Sequence, residues 1–150
     1  PNLPEKNSLA RHMFFFREML NKEAGLFEKI FVSSPSHGPH VVSRKLIDLI
    51  PLKELAIPPV AMILAQKNHL NIDVASQIPH YRLGSSIKNK SHTLLVSETL
   101  IGDTVEALKV HKEEVRERIY NGIEYIGYHN QRRFDLLQRF IKNPTAYLGT

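Results

Sequence analysis

Residues 74–97 form the first segment whose side chains are suited to binding an anion, because they carry cations and hydroxyl groups but no carboxylate. No aspartate or glutamate occurs at positions 74–97, whereas Arg82, Lys88 and Lys90 lie there beside several serines. Phosphate oxygens accept hydrogen bonds from lysine, arginine, serine hydroxyls and backbone N–H groups. The segment 79–92 is therefore predicted to be a basic loop that contacts an anion. It has no P-loop or dinucleotide-binding spacing, and the alternative is a solvated surface loop.

A second group of cations lies towards the end of the chain. Arg132, Arg133 and Arg139 are opposed there only by Asp135. Two explanations are open for these cations. They interact with the negative end of a helix dipole, or they contact nucleic-acid phosphates. We predict one set of nucleic-acid or anion-binding residues from the two segments: Arg82, Lys88, Lys90, Arg132, Arg133 and Arg139.

Eight histidines prompt a search for acid–base and metal chemistry. His80 and His92 flank the basic loop, and two histidines with a lysine are able to cleave a phosphodiester by acid–base catalysis. His37 and His40 lie in a loop rich in serine and proline, and no cysteine is present to complete a metal site. No nucleophile motif or metalloprotease helix occurs. We therefore expect no catalytic residue, no metal and no cofactor, with a His-dependent phosphodiester hydrolase as the lesser alternative.

These residues need a scaffold, and apolar periodicity predicts a helical one. The strongest stripe covers residues 103–142, where apolar side chains recur at helical spacing and predict one long helix. Asp103 is a candidate N-cap, and Pro144 pushes the residue before it out of the helical region. Gly122 and Gly127 either split this helix with a kink or let another helix approach closely.

Shorter helical patterns fill the rest of the chain, after a lead segment over residues 1–6. A first helix is expected from Ser8, with Gly25 as a bend, and residues 33–40 are expected to form a loop. A helix-turn-helix over residues 73–90 is a further alternative for the middle of the chain. The predicted fold is a single all-α domain over residues 1–150, a bundle of five to seven helices. The remaining helices are predicted over 41–50, 52–57, 60–68, 71–78 and 91–102.

Composition limits the class of protein. The chain has 150 residues, of which 42% are hydrophobic and 23% charged, as in one globular domain. No apolar run approaches the roughly 20 residues that span a bilayer. The absence of cysteine excludes disulfides and fits an intracellular protein, for which we expect a cytoplasmic location. A net charge of +5 favours acidic partners.

Together these patterns predict a non-catalytic helical module that binds an acidic partner. Nucleic acid is the first candidate, because both basic segments carry the donors that phosphate groups accept from. The alternative is a protein–protein interaction or homo-oligomerisation module that uses apolar residues left exposed. Three consecutive aromatics, Phe14 to Phe16, cannot all face the core of one helix, so at least one is available to another chain.

Overall fold

The computed structural model describes residues 8–36, 40–76, 82 and 89–142. Within them the fold is helical, and the predicted all-α class and helix number are confirmed by six α-helices. These are α1 (Ser8–Glu23), α2 (Phe27–Ile30), α3 (Arg44–Leu49), α4 (Pro58–Lys67), α5 (Lys90–Lys112) and α6 (Phe134–Lys142). Two 3-10 helices cover Leu52–Ala56 and His129–Gln131, and strands β1 (Ile119–Tyr120) and β2 (Ile123–Glu124) form an antiparallel hairpin.

Helix α5 lies at the centre of the fold. It begins after Asn89, whose side chain accepts a hydrogen bond of 2.7 Å from the backbone N–H of His92. Both α1 and α4 pack against it, and residues 101–108 are all buried. Helix α5 has 23 residues. None of the helices in the described ranges contains an apolar stretch long enough to cross a bilayer.

The core is built where α1 and α4 meet the second half of α5. Leu20, Val60 and Ile63 are almost completely buried there and pack with Ala107 and Leu108. A second cluster forms where Phe16 packs on Ile101 and Val105, with the rings of Tyr120 and Tyr125 set edge-on at 5.0 and 5.6 Å. The β-hairpin and the residue after it therefore cover the middle of α5 through aromatic packing.

The predicted long helix over residues 103–142 is wrong in its range. Helix α5 starts earlier, at Lys90, and ends at Lys112, because Glu113 adopts a left-handed φ of 60°. The chain then folds back along α5 as the hairpin and a 3-10 helix before α6 begins. Val115 and Ile123 kept the helical spacing in the sequence, yet they are 81% and 57% exposed. Their spacing did not mark a buried helix face.

Two predicted boundaries in the middle of the chain also change. The described residues 71–76 contain no helix, so the helix predicted over 71–78 is wrong there, and the helix-turn-helix loses its first helix. The predicted basic loop over 79–92 is shorter than expected, because Asn89 caps α5 and Lys90 begins it. The rest of that loop, apart from Arg82, lies outside the described residues.

The other boundaries follow the sequence patterns closely. Ser43 caps α3 by accepting from the backbone N–H of Leu46, and α4 begins with a proline, which suits the first turn of a helix. Gly25 has a φ of +68° and ends α1 instead of bending it. In the predicted loop 33–40, the described residues form neither helix nor strand.

Candidate functional site

Charged side chains concentrate on the buried face of α5. Asp103 and Glu106 lie three positions apart on one face of the helix and are 1% and 6% exposed. Arg118 is equally buried, and its Nη1 donates to Asp103 at 2.8 Å and to Glu106 at 3.0 Å. Its other N–H groups donate to the carbonyl oxygens of Thr99 and Tyr125, both at 2.9 Å. A buried guanidinium needs such partners to offset its lost hydration.

Two further arginines complete this arrangement. Arg132 donates to both carboxylate oxygens of Asp103, at 2.8 and 2.6 Å. Arg116 donates to Glu106, and its Nη1 lies 2.8 Å from Oε2 of buried Glu54, in an ion pair without hydrogen-bond alignment. Three carboxylates face three guanidiniums, so the formal charges cancel. We call this the buried charge cluster: Glu54, Asp103, Glu106, Arg116, Arg118 and Arg132.

Two glycines allow the segment after α5 to lie directly on the helix. A Cβ atom at Gly102 would lie 2.1 Å from the carbonyl oxygen of Tyr125, and one at Gly127 would lie 2.2 Å from that of Leu95. Neither distance is compatible with a side chain. Gly127 therefore serves close packing within the chain, whereas Gly122, with a φ of +76°, turns the hairpin.

His129 lies beside the buried charge cluster in its neutral form. Its Nδ1 is 3.0 Å from Nη1 of Arg132. A guanidinium is only a donor, so Nδ1 accepts and the ring proton is assigned to Nε2. Burial, followed by the positive charge of Arg118, lowers the pKa of His129. With Glu106 and Phe134, among others, this ring lines a cavity of about 170 Å³.

Three of these groups have the ligand chemistry of a divalent cation. One ligand atom each from Asp103, Glu106 and His129 lie within 4.8 Å of one another. Both carboxylates, however, already accept from Arg118, and Arg132 donates to Asp103 and to His129 Nδ1. A metal ion would have to displace two guanidiniums that supply the same positive charge. The arrangement is that of a charge-balanced ion network holding the segment after α5 in place.

The structure pairs two of the predicted anion-binding arginines with acids. Arg132 belongs to the buried charge cluster through Asp103. Arg133 donates to both oxygens of Asp135, at 2.9 and 2.8 Å, and this hydrogen bonding lowers the pKa of Asp135 to about 2. A carboxylate therefore balances the positive charge of each guanidinium, and this charge attracts an acidic partner less strongly than that of an unpaired arginine would.

Three of the other four predicted residues lie in the described part of the chain, and each of the three is exposed. Lys90 is exposed at the start of α5, thirteen positions before Asp103, hence about 20 Å from it along the helix axis at about 1.5 Å per residue. Arg139 is exposed on α6, and Arg82 is exposed in the middle of the chain. Lys88 lies outside the described residues.

Two of the four histidines singled out for chemistry lie in the described part of the chain. His92 lies on α5, where its Nδ1 is 2.9 Å from the hydroxyl oxygen of Tyr128. His40 is exposed. His37 and His80 lie outside the described residues. The predicted pairing of His80 with His92 therefore stays a prediction.

Helix α6 carries apolar and cationic side chains at the surface. Its Phe134 packs against the core, whereas Leu136 and Ile141 are each 40% exposed. Arg139 and Lys142 are exposed too, and no carboxylate of the described residues lies within ion-pair distance of either. Asp135 is the one acid of α6, and Arg133 already binds it.

A groove of about 350 Å³ lies between α6 and the start of the neighbouring 3-10 helix. Two lysines and three apolar side chains line it, without any carboxylate among the lining residues. The Lys53 ammonium is 3.9 Å from Glu54, too far for a hydrogen bond, and Glu54 is already paired with Arg116. We call this the α6 groove, and its lining residues are Pro51, Leu52, Lys53, Gln138, Ile141 and Lys142.

The buried charge cluster was missed in the sequence, where Asp103 was predicted only as a helix cap. Part of the signal was present, since an aspartate and a glutamate three positions apart share a helix face. Their arginine partners come from the hairpin and from beyond it. Nothing in the sequence indicated that these segments fold back onto α5.

A search for relatives among family models, curated proteins and solved structures found no match to this chain. Function must therefore be inferred from the charges, contacts and exposed surfaces of the described residues.

Proposed function

We propose that this protein is a non-catalytic helical module that binds an acidic partner protein through the surface of α6. One observation carries the proposal. On α6, Leu136 and Ile141 are exposed apolar side chains. Arg139 and Lys142 are exposed cations on the same helix, and neither lies within ion-pair distance of a described carboxylate, although the charge of Arg139 contributes to the lowered pKa of Asp135. Apolar residues surrounded by charge are typical of a protein interface, with its apolar centre and polar rim.

The state of the buried charge cluster supports a non-catalytic role. Each of its three carboxylates lies within ion-pair distance of at least one guanidinium, so its negative charge is already balanced within the chain. His129 uses its acceptor nitrogen on Arg132. General acid–base catalysis needs a group in reach of the substrate proton, and these groups are already occupied.

The same surface favours a protein partner over nucleic acid, the first candidate from the sequence. Interfaces with nucleic acid are more polar and more positive than those with proteins. Arg132 and Arg133, which were expected to contact phosphates, are paired with acids. Nucleic acid remains the second candidate because Lys90, Arg139 and Lys142 are exposed cations.

Fluorescence anisotropy with labelled probes tests the proposal. The probes are short acidic peptides that carry apolar residues, the same peptides with lysine in place of each acid, single-stranded RNA and duplex DNA. We expect the acidic peptides to bind best. The double substitution Arg139→Glu with Lys142→Glu should weaken that binding by about tenfold or more, because it reverses two contact charges.

A matched control applies the same change in charge elsewhere on the molecule. Arg11→Glu with Lys45→Glu alters two exposed cations on α1 and α3, and we expect it to weaken binding far less. Equal weakening by both double variants would indicate attraction to net charge alone and would contradict the proposed surface. Preferred binding of RNA or DNA would instead select the second candidate.

A further inference from the structure

The α6 groove has the size and the lining of a binding site for a side chain. Its volume of about 350 Å³ falls within the roughly 300–1,000 Å³ typical of ligand pockets. Pro51, Leu52 and Ile141 supply apolar surface, and Gln138 adds an amide. An apolar side chain entering the groove would remove this surface, together with its own, from water.

The charges at the groove are of one sign. Lys53 and Lys142 both line it, and the side chain of Lys53 is 59% exposed. Glu54, which follows Lys53 in the chain, pairs with Arg116 of the buried charge cluster at 2.8 Å. Each lysine therefore offers ammonium N–H groups to an incoming acceptor.

We infer that the α6 groove receives one large apolar side chain from a partner protein, with acidic residues beside it that pair with Lys53 and Lys142. This inference rests on the proposed function and specifies the chemistry of the partner segment. Charge complementarity decides the occupant: the apolar floor selects a hydrophobic side chain, and the two lysines select carboxylates next to it.

A second copy of this chain is a poorer occupant. Each copy has a formal net charge of +5, so two copies repel one another. Several exposed glutamates are also already paired within the chain, such as Glu113 with Lys67 and Glu114 with Lys109. We therefore assign the acidic segment to a different protein.

The test compares substitutions inside the groove with matched substitutions outside it on the same helix. Ile141→Ser and Lys142→Glu alter the groove, whereas Leu136→Ser and Arg139→Glu make the same kinds of change beyond its lining. Leu136 and Ile141 are equally exposed, at 40% each. Circular dichroism before and after heating checks that all four variants keep the fold.

The probe is a short labelled peptide with one leucine between glutamates, read by fluorescence anisotropy. A second peptide replaces the leucine with serine. We expect each groove variant to weaken binding of the leucine peptide by roughly fivefold or more. Each matched variant alters the proposed α6 surface outside the groove and should weaken binding by a smaller factor, about twofold. Ile141→Ser should also abolish the preference for leucine over serine, a readout that loss of charge alone would not move.

The outcomes separate this inference from the proposed function. If acidic peptides bind but the matched variants weaken them as much as the groove variants do, the groove is overturned and the acidic-partner module stands. If no acidic peptide binds, or if RNA binds better than every peptide, both fail. In nuclear magnetic resonance spectra of the wild-type chain, the peptide should shift the amide signals of Leu52 and Gln138, and unchanged signals there would also overturn the groove.

Discussion

Two arginines that are equally buried show what burial of a charge requires. Arg17 and Arg118 are each 6% exposed. Arg118 has two carboxylates and two carbonyl oxygens as acceptors. Arg17 has a buried Nη2 without a hydrogen-bond partner, its guanidinium lies 5.8 Å from the centre of the Phe14 ring, and burial lowers its pKa. Acceptors therefore compensate the buried charge of Arg118, whereas the buried charge of Arg17 is largely uncompensated.

We therefore expect opposite effects from the same substitution at the two sites. Arg118→Met should reduce the free energy of unfolding by about 3–5 kcal/mol, because it leaves Asp103 and Glu106 buried with less positive charge beside them. Arg17→Met keeps an unbranched side chain and removes an uncompensated charge, so it should be neutral or stabilising by up to about 2 kcal/mol. Urea unfolding measures both, and a similar loss in the two variants would contradict the contrast.

Gly102 should tolerate no side chain, for reasons of space alone. In Gly102→Ala the new Cβ would meet the carbonyl oxygen of Tyr125 at 2.1 Å, so the hairpin would have to move away from α5. We expect a loss of about 1–3 kcal/mol or more in the free energy of unfolding. Gly25→Ala serves as the control, because it has open space but a φ of +68°. Its cost should be limited to backbone strain, about 1–2 kcal/mol.

The difference between the two glycines is tested by a second observable. Gly102→Ala should shift the amide signals of the hairpin, which rests on Gly102 through Tyr125 and Arg118. Gly25→Ala should perturb only the end of α1. A Gly102→Ala variant with an unaltered hairpin would show that the close approach is not needed.

At the scale of elements, the segment after α5 is held in place by charges and by aromatic packing. Arg118 joins the hairpin to α5, Arg132 joins the chain just before α6 to the same helix, and Tyr120 packs on Phe16. His129 lies between these arginines with its pKa lowered. This element should therefore be the part of the fold that responds to mild acid.

The pH dependence follows from the direction of that shift. The unfolded chain binds a proton at His129 as the pH falls through its ordinary pKa of 6.5, whereas the folded chain binds it only at lower pH. Below pH 6.5 the unfolded state therefore holds more protons, and stability decreases until the folded pKa is reached. His129→Gln, whose amide oxygen still accepts from Arg132, should remove this part of the loss.

Urea unfolding of the wild type and of His129→Gln at a series of pH values between 8 and about 5 checks the expectation. The difference between the two proteins isolates His129 from the other histidines and the carboxylates. Two curves that run parallel throughout this range would refute a contribution from His129.

For the whole molecule, stability and binding depend on different charges. The carboxylates of the buried charge cluster and Arg118 are shielded from solvent, and its Arg116 side chain is 39% exposed. Arg139, Lys142 and Lys53 are exposed. Salt screens exposed charges over a distance of about 10 Å at 0.1 M and affects buried pairs much less. In a salt titration, binding at the proposed interface should therefore weaken, whereas the stability that the internal ion network provides should change little.

We expect the affinity for an acidic peptide to fall steeply with added sodium chloride, while the urea midpoint changes little. The double variant Arg139→Glu with Lys142→Glu should alter the free energy of unfolding by no more than about 0.5 kcal/mol, as surface substitutions usually do. Anisotropy and urea unfolding in the same buffers measure the two quantities. A parallel loss of binding and of stability would mean that α6 cations support the fold itself.

Much of the architecture could be predicted from local patterns, and the reasons are visible at particular residues. Helical segments were predicted over 41–50, 52–57 and 60–68 from apolar spacing and prolines, and the structure has α3, a 3-10 helix and α4 there. The candidate surface was expected only in part, because Arg139 was predicted to bind an acidic partner but the α6 groove was not foreseen. Its lining comes from two stretches that are distant in sequence.

The sequence by itself determined the helical class and the approximate positions of α3 and α4, because prolines and helical periodicity act between residues close in the chain. Only the tertiary structure decided that α5 runs through Gly102, that residues 113–133 fold back along it, and that Arg118 and Arg132 meet Asp103. Those outcomes depend on contacts between distant segments. The energetic effect of burying a charge, or of having no Cβ atom at a glycine, depends on which distant segment of the chain packs against that residue.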